Sequence, residues 1–134
     1  MIDVENEVFT LTATALRAKF NPISIYGEYV DIPAELPCAI VVQQDNSMYE
    51  LTQDSASVEN SVRVMFEARA YSNKAGVKKS ECKAILAVID DVFSQLGFTR
   101  TMMSLVPNLA DASVCQMISR YTAIVSKNKT IYRR

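Results

Sequence analysis

The side chains that could do chemistry are few, and their spacing argues against most of it. Histidine is absent from all 134 residues. That removes Ser-His-Asp and Cys-His nucleophile activation, imidazole metal ligation and the usual general base near neutral pH. Asp90 and Asp91 are adjacent in a stretch with helical periodicity. Their side chains diverge by about 100 degrees there, a poor two-carboxylate pair. Asp45-Asn46-Ser47 resembles the start of a calcium loop, but the glycine and terminal glutamate of such a loop are missing. Gly27, Gly76 and Gly97 are the only glycines, and no phosphate-binding loop or dinucleotide fingerprint can be built from them.

The cysteines are Cys38, Cys82 and Cys115, an odd number with no Cys-x-x-Cys. Neither a disulfide framework nor a zinc site is indicated. Each lies among apolar neighbours, where a free cysteine behaves as a small buried hydrophobe, so a reducing compartment is the expected setting. No catalytic residue, metal or cofactor is expected, and the chain does not read as an enzyme.

A length of 134 residues fits one domain with a real core, and 49% hydrophobic with 22% charged residues is ordinary for a globular protein. No apolar run approaches the roughly 20 residues of a membrane span. The acidic start, Met1 to Glu7, is unlike a signal peptide. The expectation is a soluble, unexported chain with no membrane partner.

Charge is nearly balanced overall and unbalanced along the chain. Residues 1–60 hold ten acids against Arg17 and Lys19, which is −8; residues 61–134 hold twelve bases against five acids, which is +7; the sum is −1. Pairing within the chain would explain this. So would an acidic surface that meets the basic surface of an identical neighbour, a head-to-tail contact that closes into a ring when the rotation allows. The basic residues are not interleaved with an aromatic platform and the pI is about 5.4, which argues against nucleic-acid binding.

The elements that must position these residues follow from periodicity. Val4 to Asn21 reads as a helix with a stripe of Val8, Leu11, Ala15, Leu16 and Ala18, acids in its first turn and bases in its last. Ile23 to Val30 and Cys38 to Gln43 read as strands, joined through Pro33 and Pro37. Gln44 to Asn60 is polar, either a disordered loop or a hairpin arm. The alternation of Tyr49 and Leu51 favours an arm, which would then be a partner-binding element.

Ser61 to Tyr71 is the clearest strand. Val62, Val64, Phe66, Ala68 and Ala70 face a core, and Arg63, Met65, Glu67, Arg69 and Tyr71 face a side expected to be largely wet. A helix over about residues 78–96 follows, with Cys82, Ile85, Leu86, Ile89, Val92, Phe93 and Leu96 on one face and Gly97 as its left-handed cap. Its charges run against the macrodipole: Lys78, Lys79 and Lys83 lie near the N-terminus, and Asp90 and Asp91 lie in the C-terminal half. Exposed charges tolerate this. Alternatively the lysines pair with acids such as Asp45 and Asp54 of an adjacent subunit. Thr99 to Val106 and Ser119 to Val125 read as strands, and the basic tail at 126–134 is either frayed or ordered on a neighbour.

The order of these elements resembles the tail-terminator, or tail-completion, proteins of long-tailed bacteriophages. The resembling residues are the Phe66 to Ser72 strand, the Lys/Gly loop, the helix with Ile85, Ile89 and Phe93, Gly97 to Arg100 after it, and the closing Arg120-Tyr121 strand. The resemblance implies an α+β domain with helices packed on a mostly antiparallel sheet. It implies a non-enzymatic virion protein, assembled in the host cytoplasm, that forms a homo-hexameric ring at the head-proximal end of the tail. Such a ring halts tube polymerisation and offers a head-joining surface, so the implied partners are further copies of the chain, the tail tube protein and a head-completion or neck protein. Another head–tail connector or a tube subunit has similar architecture, and a small enzyme or regulatory domain using Asp or Lys chemistry is the reading from a different class. The interface residues expected on the first reading are Asp45, Tyr49, Leu51, Asp54, Lys78, Lys79 and Lys83.

Overall fold

Strict alternation in one strand organises the computed structural model, which describes residues 3–20, 23–28, 36–48, 61–74, 76–106, 114–126 and 131–132. The elements are α1 (Glu5–Lys19), β1 (Ser24–Tyr26), β2 (Cys38–Met48), β3 (Ser61–Ser72), α2 (Lys78–Leu96), β4 (Thr99–Val106), β5 (Cys115–Ser126) and β6 (Ile131–Tyr132). The sheet order is β1-β2-β3-β5-β4, with β6 also on β5. Among the described residues β1 and β2 pair in parallel and the other pairings are antiparallel. The fold is therefore α+β, with both helices packed on one face of a mostly antiparallel sheet.

The inner face of β3 carries Val62, Val64, Phe66, Ala68 and Ala70, all buried in the main core. Ala68 and Ala70 are small enough to let α2 approach the sheet, and the Cys82 thiol reaches the Ala70 carbonyl at 3.4 Å. Phe93 is the pivot of the packing. Its ring stacks on Tyr121 at 4.4 Å and meets Phe66 and Phe98 at 5.5 and 5.0 Å, separations at which aromatic pairs attract beyond simple burial.

The cap of α2 matches its expectation. Gly97 has φ 95°; its amide donates to the Ser94 carbonyl and the Phe98 amide to the Phe93 carbonyl. These bonds satisfy carbonyls that the helix end would leave open, and the Phe98 ring closes over Phe93.

Several boundaries differ from the sequence expectation, each for a physical reason. The buried residues of α1 are Val8, Thr12, Ala13 and Leu16, with Val4 buried just before it, Leu11 half exposed and Ala18 exposed. Thr12 can occupy the core because its hydroxyl donates to the Val8 carbonyl at 2.8 Å, satisfying the one polar group that burial would strand. The polar segment expected to begin at Gln44 begins later, because β2 continues to Met48 on the ladder of β3. Part of the basic tail pairs at home: Ile131 and Tyr132 lie opposite Val125 and Ile124. Since β3 occupies the other side of β5 along its whole length, β6 extends the edge that β4 forms.

Replacing Gly97 by alanine forces a Cβ into the left-handed region, which costs about 1–2 kcal/mol. Urea unfolding of Gly97→Ala is expected to show that loss, with an unchanged dependence on denaturant concentration.

Candidate functional site

The side of β3 expected to be wet is where the charged chemistry lies. Glu67 projects from that face and is 0% exposed. Its Oε1 accepts from Arg69 Nε at 2.6 Å, and its Oε2 accepts from Arg120 Nε at 3.1 Å and Gln44 Nε2 at 2.6 Å. The local structure sets each partner. Arg69 is two residues along the same face, and Arg120 is directly opposite Glu67 in the β3–β5 register. Gln44 is the extra residue of a bulge between Gln43 and Asp45, a device that re-aims one side chain of a strand.

Tyr71, on the same face, is buried in a second small cluster with Cys38 and Ile40, and its hydroxyl accepts from Gln116 at 2.9 Å. The wet-face expectation is thus corrected: an ion cluster and an apolar patch occupy the face. Burial by itself would lower the Arg69 pKa. Its bonds to Glu67 and Tyr71 outweigh that and hold the guanidinium above its usual range.

Among the expected interface residues, Asp45 is exposed on β2 opposite Met65. Lys79 and Lys83 are exposed on α2 and Lys78 is half-buried. Tyr49, Leu51 and Asp54 lie outside the described residues. The first turn of α2 is fixed to the end of β3, where the Ser72 hydroxyl donates to Glu81 at 2.6 Å. Met65 and Ser72 are seven residues apart on β3, about 23 Å at 3.3 Å per residue. Asp45 therefore lies beside the first half of β3, whereas the start of α2, with Lys78 and Lys79, is tied to its far end.

The reversed helix charges resolve in part. Asp90 takes Arg100 Nη1 at 3.3 Å and the Tyr121 hydroxyl at 3.1 Å, so this acid is occupied inside the chain. The pairs of Glu67 with Arg69 and Arg120, and of Asp90 with Arg100, all join residues of the second half. None of these three pairs joins the acidic first half to the basic second half.

All three thiols are free and buried. Burial pushes Cys38 from 9.0 up to about 11, and burial with Cys115 alongside pushes Cys82 up to about 12. A thiol that stays protonated is a poor nucleophile and a poor metal ligand. Among the described residues no three His, Cys, Asp or Glu side chains come together to hold a metal.

Sequence periodicity had assigned Glu67 to solvent. The one available signal was the Glu67–Arg69 spacing on a single strand face. Arg120 is 53 residues away, and only the register brings it in.

Removing both arginines, in Arg69→Ala with Arg120→Ala, takes two cationic partners from a buried carboxylate. Urea unfolding is expected to show a loss of about 3–5 kcal/mol, as for a buried charge stripped of its counterion. Either single change should lose less than half of that, because the other cation remains; two small additive losses would show that Glu67 needs neither.

The raised thiols set an alkaline limit. Unfolded thiols ionise first, so their contribution to stability is complete below about pH 9 and is lost as the pH rises towards 12. The unfolding midpoint is expected to fall across that window, less steeply in Cys38→Ala. At pH 8, iodoacetamide should leave the native thiols unmodified and alkylate all three in urea.

Compared with known proteins, the chain matches no family model and no curated sequence.

Proposed function

We propose that this chain is a structural virion protein of a long-tailed bacteriophage, a tail terminator. It assembles as a homo-hexameric ring on the head-proximal end of the tail tube, stops tube polymerisation there and offers the surface to which a head-completion or neck protein joins. The α+β order of elements agrees with what the resemblance implies. The observation that carries the reading is the separation of Asp45 from Lys78, Lys79 and Lys83. A ring needs two different, complementary surfaces on every subunit. An exposed acid beside Met65, and exposed Lys79 and Lys83 on a helix whose first turn is tied to Ser72, seven residues further along β3, are of that kind.

The reading has no catalytic step. Each subunit would recognise its neighbour by charge, which governs orientation and encounter rate more than raw affinity. Burial of apolar surface at the contact would then hold the ring.

Purified protein added to polymerising tail tubes is expected to block growth at one end. A connector that joins the head, or a tube subunit, would not do so. Reversing Lys78, Lys79 and Lys83 together to glutamate is expected to weaken self-association about tenfold at low ionic strength, since three rim pairs each contribute modestly. The difference should shrink as salt screens it. Sedimentation over a concentration series reads both; unchanged association of the triple variant at low salt would remove the lysines from the contact.

A further inference from the structure

The Glu67 cluster carries more positive charge than it uses. One carboxylate is shared by two guanidiniums, which leaves +1. Glu67 has no oxygen to spare: Oε1 holds Arg69, and Oε2 holds both Arg120 and Gln44. Whatever the cluster can still bind must accept hydrogen bonds and bear negative charge.

Arg120 is the group that offers them. Only its Nε is engaged, by Glu67 at 3.1 Å; among the described residues Nη1 and Nη2 have no partner. Its side chain is 41% exposed, while the carboxylate that orients it is fully buried. It stands on β5, inside the sheet between β3 and β4, so its backbone is held from both sides. A partly exposed guanidinium fixed at Nε by a buried anion is preorganised for a planar, two-oxygen acceptor. Little side-chain entropy remains to be lost when that acceptor arrives.

We infer that Arg120 receives a carboxylate from a second copy of this chain, on the helix-free face of the sheet. The inference rests on the self-assembly reading. The occupant follows from charge: residues 1–60 carry −8 and the half containing Arg120 carries +7, so an acidic side chain of a neighbour's first half is the complementary group. The contact is head-to-tail, because donor and acceptor belong to different surfaces of the subunit. It also differs in kind from the lysine end. Lysines supply a diffuse field, whereas an oriented guanidinium supplies geometry, and arginine in such a setting is a common anchor of protein interfaces.

The experiment compares the wild type with Arg120→Gln and Arg120→Lys by sedimentation over a concentration series, with unfolding curves to confirm folding. Wild type is expected to associate. Arg120→Gln should associate at least about tenfold more weakly, and Arg120→Lys should fall between, since it keeps the charge and loses the fork. If Arg120→Gln does not fold, Arg120→Lys carries the comparison.

A mixing arm distinguishes docking from mere structural support. An Arg120→Gln subunit keeps its own acidic face, so it should still join wild-type subunits in one direction and terminate their assembly at substoichiometric amounts. A wild type that associates while both variants associate equally overturns this inference and leaves the ring standing. A folded Arg120→Gln that associates weakly but neither joins nor terminates wild-type assemblies overturns it too. A wild type that stays monomeric at every concentration, alone and with tail tubes, overturns the ring and this contact with it.

Discussion

The register between β3 and β5 is pinned from both faces, and most of the molecule depends on it. Twelve residue pairs run from Ser61 opposite Ser126 to Ser72 opposite Cys115. Within that ladder Phe66 lies opposite Tyr121 on the helix side, and Glu67 lies opposite Arg120 on the other. A slip of one residue would turn the alternation of either strand over. It would set a carboxylate against the Phe93 ring and carry Phe66 away from it. Each alternative loses aromatic packing and strands a buried charge at once. The apolar core alone would favour this register; the ion cluster makes neighbouring registers costly. A buried ion pair often adds little net stability, and specifying one arrangement is the better-attested use of such a pair.

That double pinning explains which parts of the fold the sequence reveals. β3 and α2 were legible almost to the residue because their periods of two and 3.6 are strong and uninterrupted, and because Gly97 and Phe98 supply a cap with its own chemistry. β2 was not legible beyond Gln43. Its continuation, Gln44 to Met48, is polar, and it is held by a ladder to β3 that composition does not encode. Thr12 was invisible as a core residue since its burial depends on a bond to the preceding turn. The pairing of Ile131 and Tyr132 with β5 was hidden for a related reason, because a two-residue strand exists only where an edge is waiting for it.

The cluster around Glu67 was the least legible feature. Alternation says which side of a strand a residue occupies, but not whether that side is wet. Glu67 and Arg69 could be placed on one face from sequence, and that face was assigned to solvent on the strength of the charges themselves. The charges are there because Glu67 pairs with its neighbours across the face. Arg120, arriving from β5, and Gln44, turned by the bulge, complete a shell that no short window of sequence contains.

The same residues change how the lopsided charge should be understood. Glu67 draws on Arg69 and Arg120, and Asp90 draws on Arg100 and the Tyr121 hydroxyl, so these pairs all lie within the second half. Pairs made within one half cannot reduce the difference between the halves. The acid that looked misplaced on α2 is accounted for by an arginine just past the helix end, while Lys79 and Lys83 remain exposed at the other end of that helix. On the proposed assembly, exposed charge of this kind is complemented by a differently charged surface, and a second copy presents such a surface at no further cost in sequence.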